Sequence, residues 1–231
     1  MTSLADCSVL VVGATGGLGA PISRQLAAEG AKLTLLGRDV GRLEALGLDA
    51  TLVTGDLRET QTATNAVAAA LSAHGRLDGL VVASGVVAFG PVADVPDDAL
   101  LDLFLINTLA PIRLLQAALP HLVASREAGN SPFVVNLSAV VAEQPTAGMA
   151  AYSASKAALT AYDSAAAREL RRAKIRLIDA RPPHTETGLA GRPIAGSAPR
   201  LPHGLAPEDV AGRVVSAILN DESDLPSGAF S

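Results

Sequence analysis

The sequence predicts an α/β fold, a parallel sheet covered on both sides in three α/β/α layers, and three observations carry that prediction. Short apolar runs of four to six residues alternate with longer amphipathic segments, the pattern of strand-helix-strand units. The runs are continuously apolar, as strands buried on both faces require. Hydrophobic residues make up 49% of the chain, charged residues 18%, and mean hydropathy is +0.34, a balance that excludes intrinsic disorder. A length of 231 residues fits one hydrophobic core, so a single domain over residues 1–231 is expected.

The first run, Ser8 to Val12, stops at Gly13, and a helical pattern from Gly19 to Gly30 follows with Ile22, Leu26 and Ala27 on one face. A second strand, Lys32 to Leu36, leads through Gly37-Arg38-Asp39 to a short helix containing Leu43 and Leu46. A third, Ala50 to Val53, ends at Gly55-Asp56. A helix over Thr60 to His74 precedes the strand Gly79 to Val82, which breaks at Ser84-Gly85. The next helix is expected to be long, about Asp98 to Ser125, and bent or ended in part by Pro111 and Pro120. The strand Phe133 to Leu137 ends at Ser138, and an Ala-rich helix, about Ala151 to Arg172, and a strand, Ile175 to Ala180, come next. Residues 184–207 are rich in Gly, Pro, Thr and Arg, and so long a loop inside a compact domain reads as a functional lid. A last helix, Pro207 to Leu219, completes the set, with no repeat, charge block or low-complexity tail to mark a second domain.

A net charge of −5 and an isoelectric point of 5.3 leave no basic excess for nucleic acid or an anionic membrane. The single cysteine, Cys7, excludes an internal disulfide framework and any CxxC metal or redox site, and suits a reducing cytosol. The N-terminus lacks the pattern of a secretory signal, and Leu80 to Val95 is too short and too broken by Ser84, Gly85, Gly90, Pro91 and Asp94 to span a membrane. The expectation is a cytoplasmic protein whose partners are small molecules, with no nucleic acid, no membrane and no metal.

The first strand-to-helix turn reads Gly13-Ala14-Thr15-Gly16-Gly17-Leu18-Gly19, with Gly13, Gly17 and Gly19 spaced Gly-x-x-x-Gly-x-Gly. Glycines there let the backbone turn tightly and approach a pyrophosphate over the unpaired N–H groups of a helix start. A Gly-rich turn also occurs for structural reasons alone; its place in the first βα unit favours dinucleotide binding. The acidic residue that would hold ribose hydroxyls after the second strand is replaced by Gly37-Arg38. A guanidinium there pairs with a 2′-phosphate, which favours NADP(H) and leaves NAD(H) as the second candidate, unless Arg38 is a solvated surface charge. Asp56, after the third strand, either faces the adenine amino group or caps a helix.

Tyr152 and Lys156 are four residues apart and share one helix face. A phenol near its reference pKa of ~10 is a poor base at neutral pH, and a nearby cation is expected to lower that value. Tyrosine then exchanges a proton with a carbinol or carbonyl oxygen. Ser138, fourteen residues before Tyr152 at a strand end, offers a second hydrogen bond to the same oxygen, and Asn107 is an amide among Leu105, Ile106 and Leu109. Singly, each has a plain alternative: chance helical spacing, a turn-forming serine, an asparagine bonded to a nearby carbonyl.

Together these residues resemble a classical short-chain dehydrogenase/reductase over nearly the whole chain, from Val9 to about Leu219. The likeness rests on Gly13, Gly17, Gly19, Asp56-Leu57, Gly85, Asn107, Ser138, the intact Tyr152-Ser153-Ala154-Ser155-Lys156, Pro182 and Thr187. The resemblance implies a Rossmann-type doubly wound sheet with Tyr152 as general acid/base and Ser138 holding and polarising the substrate oxygen. Lys156 would tune Tyr152 and bind the nicotinamide ribose, and Asn107 would anchor a water linking Lys156 to solvent. Cofactor contacts would come from Gly13, Thr15, Gly16, Gly17, Leu18, Gly19, Arg38, Asp56, Leu57, Ser84, Gly85, Tyr152, Lys156, Pro182 and Thr187.

Three departures from the family pattern stand out. Val82-Ala83-Ser84-Gly85 replaces the usual Asn-Asn-Ala-Gly, so contacts to the adenine ribose fall to backbone or Ser84. Pro182-Pro183-His184 replaces Pro-Gly, which removes an N–H and leaves His184 either a donor to ligand or a loop residue without a role. The end, Leu225 to Ser231, holds at best a stub of the closing strand, so the final strand is expected to be truncated and a tetramer through that edge is disfavoured. A homodimer through the helices carrying Asn107 and Lys156 is the expected assembly.

Val86, Val87, Phe89, Val140, Val141, Met149, Leu189 and Ile194 are the expected pocket walls, suited to an apolar ketone or secondary alcohol. Arg192 and Arg200 either meet an anionic tail or stay in solvent. The expected activity is NADPH-dependent carbonyl reduction. The alternative, a dinucleotide-sensing binding protein on the same fold, draws only on the missing amides at Val82 and Ala83 and on Pro183.

Overall fold

A computed structural model describes residues 2–230; Met1 and Ser231, the two ends of the expected single domain, lie outside the described residues. The strands are β1 (Ser8–Val12), β2 (Lys32–Gly37), β3 (Ala50–Thr54), β4 (Gly79–Val82), β5 (Phe133–Leu137), β6 (Arg176–Ala180) and β7 (Asp224–Leu225). Among the described residues they form one parallel sheet in the order β3-β2-β1-β4-β5-β6-β7. The helices are α1 (Gly19–Ala28), α2 (Val40–Glu44), α3 (Gln61–His74), α4 (Asp97–Phe104), α5 (Ala110–Glu127), α6 (Ala150–Leu170) and α7 (Pro207–Leu219).

Successive strand residues leave the sheet on opposite faces, and in β1 both faces are buried. Val9 and Val11 pack with Ile22 and Leu26 of α1 and Val214 and Ile218 of α7. Leu10 and Val12 pack with Ala66 and Ala70 of α3, Leu114 and Ala118 of α5, and Leu170 of α6. These are the three layers the unbroken apolar runs predict. Strand order reverses between β1 and β4, and at such a switch point the connections leave in opposite directions and open a crevice at the carboxyl ends of the strands.

The expected continuous helix over Asp98 to Ser125 is in three parts. α4 passes into a π-helical turn at Leu105–Leu109, closed by Ala110 N–H donating to the Leu105 carbonyl, before α5 resumes. In an α-helix the N–H of residue 111 would serve the carbonyl of residue 107; Pro111 has none, so regular geometry fails there. Pro111 thus sits in the first turn of α5, while Pro120 lies inside α5 without ending it.

Strand β7 is two residues long, and the truncated edge is tied down by charge. The Arg181 guanidinium reaches Glu143 at 2.5 Å, Asp179 at 2.6 Å and Asp224 at 2.8 Å. Ser227 Oγ donates to Glu143 at 2.5 Å from the closing turn. The expected loop 184–207 runs to residue 206, where α7 begins at Pro207; it has neither helix nor strand, but bridges between Thr185 and Leu205 and between Ala88 and Ala195 fix its ends and middle. Among the described residues no helix is long and apolar enough to cross a membrane.

Candidate active site

A cleft of about 440 Å³ lies at the carboxyl ends of β1 and β4, where the strand order places it. Its floor is the glycine turn. Gly13 has φ of 76°, and a Cβ on it would stand 2.8 Å from the Ser84 backbone N. A Cβ on Gly17 would overlap Thr187, and one on Gly19 would overlap the Gly13 carbonyl. Close approach between β1, the β4 end, the lid and α1 therefore dictates glycine at these places. α1 starts from Leu18, which gives no side-chain cap, so the turn leaves the positive end of the helix open toward the cleft. Ser84 Oγ is buried beside it without a hydrogen-bond partner.

Arg38 lines the cleft beyond β2, and Arg42 joins it. Arg42 was not singled out in the sequence; its Nη2 donates to the Thr15 carbonyl at 3.0 Å and its N–H to Asp39 Oδ1 at 3.1 Å, which fixes a second guanidinium over the glycine turn. Asp56 and Leu57 line the same end. The Asp56 carboxylate is held by its neighbour: Oδ1 accepts from the Arg58 N–H at 2.9 Å and Arg58 Nη1 reaches Oδ2 at 3.1 Å, while Thr60, not Asp56, precedes α3. Arg58, also unforeseen, lines the cleft and clamps Asp102 of α4.

At the other end Ser138, Tyr152 and Lys156 converge on the cleft from β5 and α6. Ser138 Oγ accepts from Thr160 Oγ1 at 3.1 Å, leaving its own proton available. Lys156 Nζ donates to the Leu137 carbonyl at 2.7 Å and is almost wholly buried. Burial lowers Lys156 to about 8, against the opposing pull of Asp179 and Asp163. The Tyr152 phenol departs from expectation: with Lys156 turned to the Leu137 carbonyl, desolvation dominates and pushes the phenol up to about 12.

Gly85 lines the cleft next to this group, and a Cβ there would lie 3.4 Å from Lys156 Nζ and 3.3 Å from Asn107 Oδ1. Asn107 stands behind the wall in the π-turn. Its Oδ1 accepts from Val86 N–H and its Nδ2 donates to the Val86 carbonyl, both at 2.9 Å, with a further bond to Ser155 Oγ at 3.0 Å. The side chain is thus occupied, and Pro111 has no N–H to give the Asn107 carbonyl its α-helical partner.

Val86, Val87, Phe89, Val140, Val141, Met149 and, from the lid, Leu189 form the apolar wall, and Pro182 and Pro183 after β6 and His184, Thr187 and Arg192 of the lid also line the cleft. Ile194 packs behind Val87, its N–H on the Val87 carbonyl at 2.9 Å, and Arg200 stands outside the cleft. Of the residues selected from sequence for catalysis or cofactor binding, only Gly19 and Asn107 do not line the cleft, and both support residues that do.

Residues 8–195 match the short chain dehydrogenase family model. An uncharacterized oxidoreductase of Methylorubrum extorquens is 32% identical over 99% of this chain and 96% of that protein. A 2,5-dichloro-2,5-cyclohexadiene-1,4-diol dehydrogenase of Sphingobium indicum is 30% identical over 98% of this chain and 88% of that protein. Among solved structures, a metagenomic short-chain oxidoreductase in complex with NADP is similar at TM-score 0.78 and 30% identity, covering 97% of this chain and 98% of that one. A short-chain dehydrogenase from Streptomyces avermitilis gives TM-score 0.84 at 26% identity, covering 97% and 90%.

Proposed function

The chain belongs to the short-chain dehydrogenase family, and from that membership we propose that it is an NADP(H)-dependent oxidoreductase interconverting a secondary alcohol and a ketone. Reduction of an apolar carbonyl compound is the proposed physiological direction. The observation that carries this reading is the convergence of Ser138, Tyr152 and Lys156 at one end of a cleft whose other end is the glycine turn.

The residues present fit a nicotinamide dinucleotide. The glycine turn admits a pyrophosphate over the open start of α1, and the unpartnered Ser84 Oγ offers a ribose contact where the family's amides are missing. Arg38 and Arg42 form a pair of cations suited to a 2′-phosphate. Such a cofactor, when bound, supplies or accepts the hydride.

In the reduction, Ser138 Oγ–H donates to the substrate carbonyl oxygen and fixes it beside the Tyr152 hydroxyl. Tyr152 gives its proton to that oxygen as negative charge develops there, and Lys156, as an ammonium ion, stabilises the resulting phenolate. The buried phenol, up to about 12 in the free protein, suits a general acid that keeps its proton until substrate arrives. Reprotonation runs through Lys156 and a water held by the Asn107 carbonyl. The walls from Val86 to Leu189 select an apolar substrate, in keeping with the cyclic diol named for the Sphingobium relative.

Leu101, Phe104 and Leu109 are exposed along α4 and the π-turn, which supports a homodimer formed on these helices. The two-residue β7 gives no support to a tetramer through the sheet edge. The sensor alternative has no use for a complete Ser138, Tyr152 and Lys156 set. The test is a carbonyl panel with NADPH beside fluorescence titrations with NADPH and NADH. Turnover of apolar ketones and tighter NADPH binding are expected; binding without turnover of any carbonyl would favour the sensor.

A further inference from the structure

Behind the cleft lies a buried polar cluster that the reaction above does not use. Asn136 of β5 and Asp179 of β6 are paired in register, so their side chains leave the sheet on one face. On that face α6 brings in Asp163, whose Oδ1 accepts from Asn136 Nδ2 at 2.7 Å. Asn136, Asp163 and Asp179 are 0%, 1% and 6% exposed. Each keeps one buried oxygen that no donor reaches: Asn136 Oδ1, Asp163 Oδ2 and Asp179 Oδ1. Acceptors gathered in one buried space, two of them on carboxyl groups, are unfavourable unless a proton lies among them. A proton on Asp163 Oδ2 would supply a donor inside a cluster whose unpartnered oxygens are otherwise all acceptors.

The charges around Asp163 point the same way. Asp179 spends its other oxygen on Arg181 at 2.6 Å, and Arg181 is shared with Glu143 and Asp224. Besides Asp179 of β6 and Arg181 just after it, the groups acting on Asp163 are Asn136 from β5 and Lys156 on its own helix, and Tyr162 adjoins it. Lys156 and Asp163 are seven residues, about two turns, apart on α6 and both are buried, so they share one face of the helix; burial and the Asp179 charge push Asp163 up to about 8, while burial brings Lys156 down to about 8, each opposed by the other's charge. Groups so linked titrate as a pair.

We propose that Asp163 is a positioning residue for Lys156: it is a carboxylic acid at neutral pH, and when solvent base takes a proton from the pair, Asp163 gives it up and Lys156 remains an ammonium ion beside a new carboxylate. The link to catalysis rests on the functional reading of Lys156 given above, whereas the protonation of Asp163 does not.

Asp163→Asn copies the neutral acid, with an amide donor in place of the O–H and an acceptor kept for Asn136. Wild type and variant are compared by thermal unfolding from pH 5 to pH 9 and by the pH profile of NADPH-dependent carbonyl reduction. A carboxyl raised from an ordinary value to about 8 on folding contributes stability that is fully present below its unfolded pKa and is lost as pH rises through its folded one. Wild type should therefore lose melting temperature relative to the variant between pH 5 and pH 8. The alkaline limb of the variant's activity should move acidward by about one pH unit, because Lys156 now loses the proton. A melting difference constant over that range means Asp163 is ionised throughout and overturns the proposal; an unmoved alkaline limb overturns the link to Lys156. Should wild type reduce no carbonyl, the functional reading falls and the unfolding comparison alone decides the state of Asp163. If Asp163→Asn does not fold, Asp163→Ser gives the same comparison without an ionisable group.

Discussion

Asn107 grips Val86 at both its N–H and its carbonyl, 2.9 Å each, and so joins the π-turn to the segment leaving β4. Removing the amide leaves two backbone groups of Val86 without their partner next to the Gly85 wall of the cleft. Asn107→Leu is expected to cost about 2 kcal/mol of stability, the penalty of orphaned buried polar groups, read as a lowered urea midpoint at unchanged slope.

Arg38 and Arg42 stand together where the second strand meets the glycine turn. If they hold a 2′-phosphate, Arg38→Ala should weaken NADPH binding about tenfold, the loss of roughly 1.4 kcal/mol of charge-assisted bonding, and leave NADH binding nearly unchanged. Fluorescence titration with the two dinucleotides checks this, and equal losses for both would remove the basis for the NADP(H) preference.

Burial holds the Tyr152 phenol up to about 12 in the free protein. The folded state thus keeps a proton that the unfolded chain releases near pH 10, so this contribution to stability is complete below about 10 and is lost as pH rises toward 12. The chain has two tyrosines, so phenolate absorbance of wild type minus Tyr152→Phe isolates one of them. The difference should remain flat to about pH 11 and rise only with alkaline unfolding.

Phe104 is 39% exposed on the same surface as Leu101 and Leu109. A charge placed there would be buried against a like charge in a two-fold dimer. If the proposed homodimer forms on this surface, wild type should sediment as a dimer and Phe104→Glu as a monomer in analytical ultracentrifugation, with no lowering of the melting temperature measured at low protein concentration.

Much of this molecule is legible where its signals are local. The apolar runs located six strands, because a strand buried on both faces needs nothing but apolar residues, and the Gly13–Gly19 turn and the Tyr152–Lys156 spacing each lie within a few residues. The interruption at Leu105–Leu109 was also written locally, in a proline four residues after Asn107, but its effect on one carbonyl shows only once the helix is followed bond by bond. What stayed hidden depends on distant residues meeting. Asn136, Asp163 and Asp179 are ordinary singly and unusual only when β5, β6 and α6 bring them together. The Tyr152 expectation failed for the same reason: spacing reveals a neighbouring cation, but not that burial outweighs it or that Lys156 turns to the Leu137 carbonyl.

In the proposed reaction Tyr152 moves the proton that accompanies hydride transfer. The direct test is Tyr152→Phe, which removes one hydroxyl from a buried ring, assayed with the best ketone from the panel at saturating NADPH and paired with an NADPH titration. Proton transfer by Tyr152 predicts a loss in kcat of about a hundredfold to ten-thousandfold, the usual worth of a general acid, with NADPH affinity within about threefold of wild type. Carbonyl reduction that survives within a few-fold while NADPH still binds would contradict it.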